Sequence, residues 1–317
     1  MERVAVAYND DAARKTHLSD IELRGEVEVI DTAQEIAAVL NAALVPVGDD
    51  IAGALQRLRG FDVVVDLCEG VAGNPRYEMH FALALEMLGI AHTSCDPIAV
   101  GTCTDKALVT RLLRAAGIAT PRSREDGGRF PLIVKPSLED AGIGIDAASV
   151  VTNDAELATR IAFVVETYRQ PALVEEFIDG RELNQSVFLG TALPAGEVVF
   201  ADDLAPHERV VGWKAKWANG SREDLATVNR TPAHIDDATR DRLASTCLRA
   251  ASVLGLDMYA RFDVRQSAAG ELYLIDINPN PDLGRGTGFR KALNAAGTPF
   301  PDFLNALIIA ARARRHA

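Results

Sequence analysis

Between residues 259 and 278 the chain carries two apolar runs with polar or charged residues set at alternate positions. The first reads Tyr-Ala-Arg-Phe-Asp-Val-Arg from Tyr259 to Arg265; the second reads Glu-Leu-Tyr-Leu-Ile-Asp-Ile-Asn from Glu271 to Asn278, and Gly270 lies in the short connection. Two such runs around a short Gly-containing turn predict an antiparallel hairpin. Alternation puts Arg261 and Asp263 on one face of the first strand and Asp276 and Asn278 on one face of the second. Phe262 and Val264, with Tyr273, Ile275 and Ile277, fall on the opposite faces. Carboxylates packed closely among core-forming residues repel strongly unless something neutralises them. Mg²⁺ does so with oxygens from one or two carboxylates, phosphates and water. The alternative is the solvated face of a surface hairpin. The Asn-Pro-Asn-Pro exit at 278–281 weighs against it, because Asn278 adds a neutral oxygen where a generic strand would end.

The first hundred residues alternate strand-like and helix-like patterns. Residues 4–8, 43–47 and 61–67 suit buried parallel strands. Residues 31–42 and 49–59 have helical spacing, each opened by Asp as an N-cap, and 76–88 form another helix closed by Gly89. This is a βαβ-type layer, yet Ala7-Tyr8-Asn9-Asp10-Asp11 has no glycine-rich phosphate turn, which excludes a dinucleotide-binding fingerprint. A helix at 104–116, a strand at 132–135, a helix at 154–168 and a strand at 172–177 make a small α+β unit. Longer strands follow at 182–189, 198–202, 259–266 and 271–278, with helices at 236–254 and 303–314.

Length and charge narrow the function classes. A chain of 317 residues with 48% hydrophobic content has room for two or three domains and a sizeable core. A net charge of −12 disfavours nucleic-acid or anionic-membrane partners. Any polyphosphate must therefore be held by local cations. No apolar run approaches the ~18 residues of a membrane span. No signal segment precedes the first strand, and Cys68, Cys95, Cys103 and Cys247 lack metal-type spacing. A cytoplasmic protein with reduced thiols is expected.

Four further segments offer chemistry. Lys135 ends the apolar strand before a loop of small residues at 137–144, whose N–H groups can approach an anion. Lys106 sits in the first turn of its helix, where the macrodipole disfavours a cation; either an anionic ligand offsets this, or the lysine is solvated beside Asp105. Lys216 lies in Trp213-Lys-Ala-Lys-Trp217, which is either an ordered surface loop or a lid over phosphates. Glu175, Glu176, Phe177 and Ile178 end a strand before Asp179-Gly180; they are either an inter-domain turn or a frame for a flat purine, with Glu182 near a ribose.

In order and spacing, Thr104-Asp-Lys106, Ile133-Val-Lys-Pro136, the segment Leu173–Glu182, Lys214-Ala-Lys216, Arg261-Phe-Asp263 and Asp276-Ile-Asn-Pro279 resemble the ATP-grasp superfamily, most closely its D-alanine–D-alanine ligase branch. The resemblance spans nearly the whole chain. It implies an ATP-grasp fold of α/β and α+β parts: an N-terminal parallel α/β substrate lobe (1–103), a small lobe (104–180) and a C-terminal lobe with the metal site (181–317), the last two clasping ATP. It implies that Lys106 and Lys135 hold ATP phosphates, Glu175 to Ile178 frame adenine and Glu182 binds ribose. Lys216 would reach the γ-phosphate, Asp263, Asp276 and Asn278 would hold two Mg²⁺ ions (Mn²⁺ as a substitute), and Arg261 would stabilise an acyl phosphate and a tetrahedral intermediate. The implied reaction joins a small carboxylate to a small amine, and a homodimer is expected from the same likeness. A non-catalytic ATP sensor and an ATP-grasp kinase are the alternatives.

The departures touch one metal position, the phosphate loop and the lid as well as the acceptor positions. Asp276 replaces the usual bridging Glu, Ala141 and Gly142 replace two serines, and Trp217 replaces the lid tyrosine. Glu69-Gly70 stands for His-Gly, and the ordering glutamate has no counterpart near Asn9–Asp20. The Pro-Gly-Met-Thr segment becomes 281–287, with Arg285 as an added cation suited to an acidic group. Glu69, Glu78, Arg285 and Thr287 are the candidate substrate contacts, and a substrate pair other than D-alanine is expected.

Overall fold

A computed structural model describes residues 3–10, 24–139, 142–218 and 220–315, with the side chains of 24–27, 217 and 315 left aside. Residues 11–20 and Ala141 therefore lie outside the described residues, as does the Trp217 side chain.

The chain begins β1 (Val4–Asn9), α1 (Arg24–Leu40), β2 (Ala43–Val47), α2 (Ile51–Leu58), β3 (Val63–Asp66), α3 (Tyr77–Met87) and β4 (Ala91–His92). These four strands form a parallel sheet in the order β2-β1-β3-β4. Both faces are covered, so its strands read as continuous apolar runs. Val6, Val63 and Val65 enter one core layer with Ile36 of α1. Ala5, Ala7 and Val64 enter the other, with Leu58 of α2 and Phe81 and Leu85 of α3.

Two helices, α4 (Pro97–Thr104) and α5 (Lys106–Ala115), lead to the second sheet. It is built from β5 (Leu132–Pro136), β6 (Val150–Val151) and β7 (Ala172–Glu176) in the antiparallel order β6-β5-β7, with α6 (Asp154–Tyr168) packed on it through Leu157, Val164 and Tyr168.

The third sheet comprises β8 (Gly180–Phe188), β9 (Thr191–Ala192), β10 (Gly196–Phe200), β11 (Thr227–Arg230), β12 (Tyr259–Ser267) and β13 (Leu272–Asn278). Its order is β11-β10-β8-β12-β13, with β9 paired to β8. Between β10 and β11 lie the short helices α7 (Trp213–Trp217) and α8 (Arg222–Leu225); α9 (Asp237–Leu254) follows β11 and packs Leu243, Cys247 and Leu254 beneath Phe262 and Val264. The closing helices α10 (Gly288–Ala295) and α11 (Phe300–Arg315) return to the first sheet, where Phe289, Phe303 and Leu307 share a core with Val6, Val65 and Tyr259. None of the described helices is long and apolar enough to cross a membrane.

Three expectations change. The helix expected to open at Asp31 begins at Arg24, so Asp31 is an exposed mid-helix residue rather than a cap. Asp50, not Asp49, caps α2 by accepting from the Gly53 N–H. The hairpin also departs from plain alternation. Asp263 pairs with Asp276 but Val264 pairs with Leu274, so Ile275 is an extra residue on β13. This bulge shifts the pleat. Leu272 and Leu274 join Ile277 in the core, while Tyr273 and Ile275, expected there, do not.

Candidate active site

Residues from all three sheets converge on one cleft of about 520 Å³. That lies within the usual range for small-molecule sites. The hairpin supplies its floor. Cross-strand register sets Arg261 opposite Asn278 and Asp263 opposite Asp276, so all four polar side chains face one space. Arg261 grips Asp263 through two hydrogen bonds of 2.9 Å each.

The bulge has a second consequence. It turns the Ile275 carbonyl towards Lys135, whose Nζ donates to it at 3.0 Å and pairs with Glu175 at 2.7 Å. Lys135 and Glu175 are both buried. Lys106, at the first position of α5, is buried too and pairs with Asp276 at 2.7 Å. A solvated pairing with Asp105 is therefore set aside: the Asp105 carboxylate instead caps α5, accepting from the Leu108 N–H. Burial would raise the Asp276 pKa, but Lys106 and Lys135 outweigh it and hold that carboxyl below the usual carboxylate range.

Glu175, Glu176, Phe177 and Ile178 follow one another along the cleft wall, beside Glu182. Buried Glu182 pairs with Arg265 at 2.8 Å, and burial raises its pKa against the opposing pull of that guanidinium. Arg265, which the sequence reading did not select, also sits 5.6 Å from the Phe177 ring centre and 5.3 Å from that of Phe200. Its apolar neighbours and its place on β12 are the signals that could have found it.

The Lys216 segment folds over the same space. The Trp213 N–H donates to the Gly142 carbonyl at 3.2 Å, which fastens α7 to the loop after β5. Two glycines allow this close approach. Gly142 takes φ +79°, and a Cβ on Gly212 would collide with the Ile145 carbonyl oxygen. Half-buried Lys216 stands near Arg261, Asp263, Asp276 and Glu182; burial and Arg261 lower its pKa, while the three carboxylates oppose them.

The proposed substrate contacts are placed less uniformly. Glu69, exposed, and Thr287 line the cleft, although the Thr287 hydroxyl already donates to Asp282 and Gly284 carbonyls at 2.9 Å. Arg285 lines it too, but with 82% side-chain exposure and with Glu35 of α1 as ion-pair partner at 3.1 Å. The added cation expected near the acceptor pocket thus lies at the cleft and already has a carboxylate partner. Glu78 is buried within α3 and is not among the described residues lining the cleft.

The donor set suits Mg²⁺. Asp263 and Asp276 are cross-strand neighbours, and Asn278 adds an amide oxygen that already accepts from the Asn280 N–H at 2.8 Å. Among the described residues no group of three His, Cys, Asp or Glu side chains forms a complete metal cage. Two carboxylates completed by phosphate oxygens and water are the usual way Mg²⁺ is held.

Residues 114–309 match the family described as "D-ala D-ala ligase C-terminus". An uncharacterized protein of Sinorhizobium fredii, y4sG, is 31% identical over 267 residues, 80% of this chain and 75% of that one. The D-alanine–D-alanine ligase of Pseudomonas putida is 27% identical over 326 residues, 99% and 94% of the two chains. In fold, the chain is similar to the crystal structure of a D-alanine–D-alanine ligase from Bacillus anthracis complexed with ATP, with TM-score 0.77, 21% identity, and 99% and 98% coverage. The chain belongs to the D-alanine–D-alanine ligase family of ATP-grasp proteins and is an ATP-dependent carbon–nitrogen ligase.

Proposed function

We propose that this enzyme joins a small carboxylate to a small amine through an acyl phosphate, releasing ADP and phosphate, and that its substrates are not two molecules of D-alanine. The observation that carries the reading is the convergence of Lys106, Lys135, Lys216 and Arg261 on the carboxylates of Asp263 and Asp276 in one cleft. In this reading Lys106 and Lys135 exchange their carboxylate partners for ATP phosphates, and Lys216 meets the γ-phosphate from the covering helix. Glu175 to Ile178 border the base and Glu182 the ribose. Asp263, Asp276 and Asn278 would hold two Mg²⁺ ions, which neutralise charge on the phosphates when bound.

A substrate carboxylate oxygen attacks the γ-phosphorus and ADP departs with the bridging oxygen. A neutral amine then attacks the acyl carbon, loses a proton and expels phosphate, leaving an amide. Arg261 bears on both steps as a fixed positive charge beside the developing oxyanion, a kind of contact whose loss typically costs about 10²–10³ in rate. The lobes proposed for this chemistry are residues 1–103, 104–180 and 181–317; each contains one of the three sheets, and α10 and α11 help to build the core of the first. A cytoplasmic homodimer belongs to the same proposal, supported by likeness alone.

The test is phosphate release over paired acids and amines. Release that needs both supports ligation, and release with an acid alone would instead support a kinase. D-alanine alone is expected to turn over far below about 1 s⁻¹, because Glu69 stands where that branch has histidine and residues 281–287 where it has Pro-Gly-Met-Thr; turnover at or above that rate would overturn the substrate reading.

A further inference from the structure

The far end of the cleft is walled by Glu28, Val29 and Thr32 of α1 and by the loop from Pro281 to Thr287. The two walls meet closely: the Thr32 hydroxyl lies 3.3 Å from where a Cβ on Gly284 would stand, and the Asp282 carboxylate 3.1 Å from it. Glu35 fastens them, pairing with buried Arg290 at 2.8 Å as well as with Arg285. Those hydrogen bonds and charges lower the Glu35 pKa despite the opposing effect of burial, so its carboxylate and the two guanidinium groups answer one another.

Among the described residues of these two walls, the charges left over are negative. Asp282 uses one oxygen to accept from the Gly284 N–H at 2.7 Å. Among the described residues neither Asp282 nor Glu28 has an ion-pair partner. Arg261, which bears on Asp282 electrostatically, donates two hydrogen bonds to Asp263. Burial raises the pKa of Asp282 and of Glu28, and the nearness of Asp282 raises Glu28 further. Two like charges lining one cleft, Asp282 half-buried and Glu28 exposed at its mouth, repel unless a cation enters with the substrate. An amino acid with a single ammonium answers only one of them.

Resting on the ligase reading above, we propose that Glu28 and Asp282 are specificity residues that select a small substrate carrying two amino groups, of the basic amino-acid or diamine class, over an equally long neutral one. The cleft itself, continuous with the cation-rich centre at Arg261, defines where the substrate lies; the two acids define its charge. This reverses the acidic preference that Arg285 suggests on sequence alone, because Glu35 already answers that arginine.

Calorimetric titration of the full chain with ATP-analogue and Mg²⁺ tests the proposal independently of turnover. Lysine is compared with norleucine, and ornithine with norvaline, each in both enantiomers. The dibasic member of one matched pair is expected to bind about tenfold or more tightly, the scale of one charge-assisted hydrogen bond. Glu28→Gln, a conservative change at an exposed position, and Asp282→Asn should each bring that ratio towards one. Equal binding within both pairs, no binding of either dibasic compound, or a ratio untouched by both substitutions would overturn the charge assignment. Phosphate release from the acid and amine panel reports separately on ligation, so its failure would strike the ligase reading and leave the binding result standing.

Discussion

At the scale of single residues, the centre is a set of charges that hold each other in place. Asp276 answers Lys106, Asp263 answers Arg261, and Glu175 answers Lys135. Removing one partner of a buried pair leaves an uncompensated charge, so variants that keep size are the informative ones. Asp276→Asn is expected to lower kcat by about 10²-fold or more while the protein still folds, because it removes a charge from the proposed cation set without changing volume. Asp263→Asn should behave likewise. Steady-state kinetics at saturating Mg²⁺, with circular dichroism as the fold control, decide the matter; near-normal turnover in both variants would remove the hairpin from the reaction. The alternation of polar and apolar residues makes the sharing of one face by Asp276 and Asn278 readable in advance. The Ile275 bulge was not readable, since period-two patterning contains no mark for an extra residue, and it is the bulge that places the Ile275 carbonyl within reach of Lys135.

At the scale of elements, α7 is fastened to the loop after β5 beside the cleft, and closure over ligands is its proposed role. Gly212 passes so near the Ile145 carbonyl that any side chain there must displace backbone. Gly212→Ala should lift α7, lower kcat by about tenfold to a hundredfold, and speed protease cleavage within 210–225. Unchanged kcat and unchanged cleavage together would mean that the segment does not close. A second element-level test uses α11, whose Arg314 donates to the His92 carbonyl at 3.1 Å. Burial, reinforced by Arg314, depresses the His92 pKa to about 3 even though Glu86 lies 3.5 Å from Nε2. The unfolded chain takes up this proton below about 6.5 and the folded chain does not, so stability attributable to His92 is full above about pH 6.5 and falls as pH drops towards 3. Thermal midpoints of wild type and His92→Gln between pH 7 and 4 should therefore converge as pH falls; parallel curves would contradict a neutral buried imidazole. Legibility varied with the kind of signal. The helix expected near Asp154–Tyr168 spans those residues, with Asn153 as its cap. In contrast α4 escapes notice despite Asp96 and Pro97 at its start, because all its faces are apolar and its buried turns show no amphipathic period. The edge strand Thr227–Arg230 has one apolar residue and gives no strand pattern.

At the scale of the molecule, three sheets line one cleft and the last helices bind the first sheet to the third. Phe303 of α11 touches Phe188, Tyr259, Phe289 and Phe300, drawing both sheets into one core. From that core the Tyr259 hydroxyl donates to Asn280 at 2.5 Å, which reaches the cleft wall and the Cys68 carbonyl. The family pattern and the layer types are visible in sequence order alone. The pairing of Glu35 with Arg290 is not, because residues 255 positions apart announce no contact until the fold closes. The account's central claim is that the carboxylate is activated as an acyl phosphate, and oxygen isotope transfer tests it most directly. With an acid–amine pair that supports turnover and with ¹⁸O in both carboxylate oxygens of the acid, each released phosphate should carry one ¹⁸O atom and the amide should retain the other. Unlabelled phosphate alongside full amide formation would contradict the account.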